Sequence, residues 1–110
     1  MTTDIIWPTD LFINGNWIKG TRSTRIDVVN PSDGAVLTSV ADASSEDAIA
    51  AVDAAAAAAA NWAATPARRR AEILRRCWEL MMRDAEALAR LISLENGKAL
   101  KDARGEVAYA

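Results

Sequence analysis

Few residues in this chain carry side chains that could do chemistry, and the missing types narrow the field first. The 110 residues include no histidine and one cysteine, Cys77. Imidazole-based triads, proton shuttles and histidine metal ligands are therefore excluded from within the chain. Cys77 is the one candidate thiol nucleophile, and Arg75 and Arg76 beside it would favour a thiolate. It falls on the apolar stripe of a helical pattern with no histidine to act as base, so the sequence makes it a buried packing residue. Glu95 and Glu106 could form a general acid–base pair, but they straddle a helix break and show no partner, which points to structural roles. Gly97-Lys98 hints at a phosphate loop. The earlier glycine that loop needs is Ile92 here and the residue after the lysine is Ala99, so the loop is rejected. Arg68-Arg69-Arg70 has acids interleaved at helical spacing, which makes it a solvated ion-paired face rather than a nucleic-acid patch.

Composition agrees with this quiet chemistry. Slightly over half of the chain is apolar and the formal net charge is −2, as in an ordinary folded domain with no call for a nucleic-acid or membrane partner. Much of the apolar content is alanine, which buries little area per residue, so the core should be shallow and the chain should need a larger surface to cover its faces. A single cysteine allows no internal disulfide, and a reducing, cytoplasmic setting is expected. The first ten residues lack the pattern of a signal peptide.

The elements that would position these residues fall in two groups. Residues 1–10 read as a loosely held arm, with Pro8 blocking regular structure. Leu11–Ile13 and Trp17–Ile18 flank Asn14-Gly15-Asn16, a hairpin signal because Asn and Gly accept the positive φ of a type I′ turn. Residues 25–30 and 35–41 read as two further strands joined through Pro31-Ser32-Asp33-Gly34, which completes an antiparallel unit over 11–41.

A helical segment follows over 43–110. Ser44 caps the first helix, with Asp47 at its third position, and Ile49, Val52, Ala56 and Ala59 form the stripe of a helix that ends near Asn61. Thr65 as cap and Pro66 at the first position open a second helix to about Arg83. Its broad face of Ala67, Ala71, Ile73, Leu74, Cys77, Trp78, Leu80 and Met81 should be buried. Ion pairs are expected at Glu72–Arg76, Glu79–Arg83 and Lys98–Asp102. Asp84 caps a restart, Asn96-Gly97 stops it in the left-handed conformation, and residues 99–110 form a last helix that breaks off in mid-pattern. Gly105 within it predicts a close packing contact. The Trp residues, four of the six aromatics, read as core or interface anchors.

Taken in order, Ile13-Asn14-Gly15-Asn16-Trp17, Asn30-Pro31-Ser32-Asp33-Gly34, Leu94-Glu95-Asn96-Gly97-Lys98 and Gly105-Glu106 resemble the N-terminal end of the NAD(P)-dependent aldehyde dehydrogenase superfamily. Each motif is modest alone, and four in the family's order are specific. Ala99 departs from the pattern, which has proline after the lysine. The run from Trp78 to Met82 with Ala89–Glu95 looks most like the succinate-semialdehyde dehydrogenases, and glutarate-semialdehyde dehydrogenases are similar enough that this region does not separate them.

The resemblance implies an α/β parent that oxidises an aldehyde to an acid through a cysteine thiohemiacetal and hydride transfer to NAD or NADP. The helical segment would pack on the parent's dinucleotide-binding domain, and the hairpins would join the oligomerisation region of a homo-dimer or tetramer. The family's catalytic cysteine, its glutamate and its nucleotide site lie further along a longer chain. Neither Cys77 nor Glu95 matches a catalytic position, and no residue here takes a catalytic, nucleotide-binding or metal-ligating role. The positions matching a monovalent-cation site found in some members are the carbonyls of Val28 and Val29 and the side chain of Glu95. A second reading needs no parent: a non-catalytic helical interaction module, complete as it stands.

Overall fold

The computed structural model describes residues 6–110. Eight elements follow one another: β1 (Leu11–Ile13), β2 (Asn16–Ile18), β3 (Arg25–Val29), β4 (Val36–Ala41), α1 (Ser45–Ala64), α2 (Ala67–Arg83), α3 (Ala85–Asn96) and α4 (Leu100–Tyr109). They fall into two compact units. One holds the described residues up to Asp27 together with Thr38–Thr65, and the other holds Val28–Leu37 together with Pro66–Ala110.

In the first unit β1 and β2 pair antiparallel, with Leu11 opposite Ile18, Phe12 opposite Trp17 and Ile13 opposite Asn16. That register leaves Asn14-Gly15 as a two-residue loop, and both residues have positive φ, 51° and 78°. This is the primed turn whose twist suits a hairpin. Phe12 and Trp17 face each other across the strands with ring centroids 4.8 Å apart. Of the expected N-terminal arm, residues 1–5 lie outside the described residues. Thr9 accepts a hydrogen bond from the Ala41 amide at 2.8 Å, and Arg25 reaches both Thr9 and Asp10.

α1 begins where the sequence places it. Ser44 and Asp47 form a reciprocal capping box. The helix runs three residues past Asn61, to Ala64. Thr65 then closes α1 instead of opening α2: its hydroxyl donates to the Asn61 carbonyl at 2.8 Å. Its ψ of 130° is the extended conformation that a following proline imposes. α2 starts one residue beyond Pro66 with no side-chain cap.

In the second unit the core is a seam between α3 and α4. Ala89 and Ala103 are fully buried and Val107 nearly so, with Met82, Ala85, Leu88, Ile92 and Leu100 packed around them. Alanines at the contact let two helix backbones approach closely. Ala41 in the first unit is the other buried apolar residue among those described, so the core is as shallow as the composition implies.

Several expectations give way here. α2 buries none of its residues: Leu74 is 62% exposed, Trp78 51%, and Cys77 is exposed as well. The periodic stripe is real but only partly covered: Ile73, Leu80 and Met81 are half-buried, while Leu74, Cys77 and Trp78 stay open. Ile49 and Val52 on α1 are exposed too, and Trp17 and Trp62 are about half exposed. A Cβ on Gly105 would meet nothing within 4 Å, so the expected close contact is missing. The α2 acids pair backwards along the helix, Glu72 with Arg68 and Arg69, and Glu79 with Arg75 and Arg76. Two arginines one turn N-terminal thus bracket each carboxylate. Arg83 turns instead to Asp84, whose carboxylate is consumed by that pair and does not cap α3. Lys98 lies ahead of α4, outside helical spacing to Asp102, and pairs with Glu106.

Candidate functional site

The residues singled out by their chemistry all lie in the second unit, yet they do not converge on one site. On α2, Cys77 is solvent-exposed with Arg75 and Arg76 as sequence neighbours. Both guanidinium groups are engaged by Glu79, at 3.3 and 3.4 Å, and Arg75 also lies 5.9 Å from the centre of the Trp78 ring. The chain holds no histidine to serve the thiol as base. Arg68 and Arg69 are likewise turned to Glu72, so this face carries ion pairs and not a ready anion site.

Around the α3–α4 joint the geometry is more specific. Gly97 ends α3 with φ 73° and ψ 13°, the left-handed cap, and its amide donates to the Ser93 carbonyl at 2.9 Å. A Cβ at this position would sit 3.1 Å from Pro31 Cγ, so the helix end abuts the turn after β3. That turn is held by its own polar side chains. The Asn30 side chain accepts from the Ser32 amide and Asp33 from the Ala35 amide, each at 2.9 Å. The three positions matched to a cation site thus belong to one unit: Val28 and Val29 lead into the turn, and Glu95 precedes the cap pressed against it. Glu95 is exposed, and among the described residues no side chain pairs with it. Glu106 is held by Lys98, so the two glutamates do not act as a pair. Across the described residues no group of three or more His, Cys, Asp or Glu side chains could hold a metal ion.

Two contacts escaped the sequence reading. Arg104 on α4 makes a two-pronged bond to Glu86 on α3, at 2.7 and 3.0 Å. The guanidinium holds the Glu86 carboxyl below its ordinary range, and the carboxylate raises the arginine in turn. The second joins Thr21 to the expected Ser44–Asp47 box, at an aspartate only 3% exposed. It accepts from the Ser44 amide at 2.9 Å, the Ser44 hydroxyl at 3.0 Å, the Thr21 amide at 3.1 Å and the Thr21 hydroxyl at 3.3 Å. Chiefly the Ser44 amide, and then the Thr21 amide and the Ser44 and Thr21 hydroxyls, lower its pKa against the opposing effect of burial. Spacings of 18 and 26 residues carry no local signal, and neither pair could be read before the elements were docked.

Residues 17–110 match the model of the aldehyde dehydrogenase family. The chain belongs to that family. It is 45% identical over 98 residues to the NADP⁺ succinate-semialdehyde dehydrogenase GabD of Escherichia coli K12, a match covering 89% of this chain and 20% of that protein. Malonate-semialdehyde dehydrogenase 1 of Shouchella clausii is 47% identical over 96 residues, covering 87% of this chain and again 20% of the relative. The fold agrees. A crystal structure of an E. coli NADP-dependent enzyme superposes with a TM-score of 0.88 at 42% identity, over 92% of this chain and 21% of that one. The chain therefore spans about a fifth of the length of the aldehyde dehydrogenases it matches. Of the motifs that resemble the family pattern, those from Trp17 onward fall within the matched span, including the Asn30–Gly34 turn and the Leu94–Lys98 helix end. In this aldehyde dehydrogenase chain those motifs are structural joints. The turn and the helix end meet at Pro31 and Gly97, and Lys98 and Glu106 close the corner into α4.

Proposed function

We propose that these residues are the N-terminal portion of an NAD(P)-dependent aldehyde dehydrogenase that oxidises succinate semialdehyde to succinate, and that they serve as its scaffold. The observation that carries this reading is the 45% identity to the E. coli NADP⁺ enzyme across nearly the whole chain. The family motifs, in their expected order, support it as well. Nucleotide, thiolate and general base would be supplied by other parts of the protein. In that protein the uncovered stripe of α2, with Leu74, Cys77 and Trp78, would lie against the dinucleotide-binding domain. The hairpins would contribute to a homo-oligomer, and the enzyme would work in the cytoplasm. Among the described residues no helix is long and apolar enough to cross a membrane.

Malonate semialdehyde is the second reading, favoured by the 47% identity to the Shouchella enzyme, and glutarate semialdehyde is a third of the same chemistry. All three substrates carry an aldehyde and a carboxylate and differ by methylene count, which a substrate pocket discriminates and a scaffold does not.

The test is the product of the uninterrupted reading frame, assayed at 340 nm with each semialdehyde and with NAD⁺ and NADP⁺. Highest kcat/KM with succinate semialdehyde is the expected result, and a higher value with either other substrate overturns that assignment. The 110 residues alone should reduce no nucleotide. Aldehyde-dependent turnover above blank would refute the scaffold role. A stop codon after Ala110 in an intact gene, with a cooperative melt of the 110 residues, would favour the interaction module instead.

A further inference from the structure

Asp47 stands apart among the acids of the described residues, because it is buried and its hydrogen-bond donors are all neutral. The charged groups around it in the sequence of the adjoining elements are Lys19 and Arg22 on the loop after β2, Asp42 ahead of the cap and Glu46 beside it. Arg22 is already committed to Asp42 and to the Ala43 carbonyl, at 3.3 and 2.8 Å. The carboxylate therefore ties the loop after β2 to the N-terminus of α1 through hydrogen bonds without a salt bridge.

We propose that the Thr21–Ser44–Asp47 cluster is a releasable latch, a point where the loop after β2 lifts off α1 as a local unit while the α3–α4 seam stays closed. Thr21 makes the cross-connection: its amide donates to Asp47 at 3.1 Å, and its hydroxyl lies 2.6 Å from the Ser44 hydroxyl, which itself donates to Asp47 at 3.0 Å. Protonating Asp47 removes the charge these donors share and leaves the Thr21 and Ser44 amides, which can only donate, on a weaker acceptor, so acid opens the latch. The sign follows from the lowered pKa: the latch holds above the ordinary aspartate range and fails as pH falls through the lower folded value. Salt does not open it, because no ion pair is there to screen.

Amide hydrogen exchange on the full chain reads this directly, since the Thr21 amide donates to Asp47. Between 0.05 and 1 M NaCl at neutral pH, the Thr21 protection factor should change by less than about twofold. On acidification it should fall by at least about tenfold while the Ala103 and Val107 amides keep theirs. Asp47→Asn should lose Thr21 protection at neutral pH with the α3–α4 amides unchanged. Loss of Thr21 protection only together with Ala103, strong salt dependence, or unchanged protection in Asp47→Asn would each overturn the proposal. The acid titration needs no variant, so a misfolded Asp47→Asn protein does not spare it.

Discussion

The two units are fastened by opposite means. At the N-terminus of α1 a single buried carboxylate gathers neutral donors from a loop 26 residues away. Between α3 and α4 the contact is apolar and close, two alanines with no exposed surface and a valine beside them. A polar fastening is specific in direction but sensitive to the state of one proton. A small-residue seam is indifferent to pH, yet it has no room for an added methylene. The exposed ion pair of Arg104 with Glu86 sits beside the seam, and exposed pairs of this kind contribute little.

Substitutions can break that contrast, and the largest effect belongs to the seam. Ala89→Leu forces extra volume between α3 and α4 and should cost about 1–3 kcal/mol in denaturant unfolding. A cost below that of a surface substitution would mean the seam is loose. Gly97→Ala strains a left-handed cap and brings a methyl against Pro31, for a loss of roughly 1 kcal/mol by the same measurement. Ser44→Ala removes one arm of the polar fastening and should cost about 1 kcal/mol, within the usual range for an N-cap. If it cost more than Ala89→Leu, the ranking of the two fastenings would be reversed. Gly105→Ala should stabilise the chain by about 0.5–1 kcal/mol, because the helix gains propensity and a Cβ there meets nothing. Made in the longer protein, the same change tests whether another segment needs that space: lost activity there, with a gain here, locates a contact. Smallest of all, Glu86→Gln should leave the melting temperature nearly unchanged at any salt concentration. A large drop would move the weight of the second unit from packing to charge.

What the sequence could tell depended on distance along the chain. The Asn14-Gly15 turn, the Ser44–Asp47 box and the Gly97 stop each rest on residues within four positions of one another, and the structure has all three. Thr65 carries a shared signal: a threonine before a proline suits both the end of one helix and the start of the next, and the Asn61 carbonyl decides for the first. The α2 pairs were misread because spacing permits either direction, and the neighbouring arginines fix which one forms. Burial was the least legible property. A 3.6-residue stripe states that a face is apolar, while covering it takes a second surface, and this chain has alanines where bulk would be needed. The site followed the same rule. The motifs named the family, and among the described residues the candidate side chains do not come together.

Cys77 gives the uncovered helix face a practical use. It is the chain's one thiol, exposed, on the stripe that Leu74 and Trp78 share, with an indole one residue away. A maleimide reagent would label one site, and Trp78 emission would register the attached dye. Labelling rate in the 110 residues against the longer protein would therefore footprint whatever docks on α2, with no engineered handle.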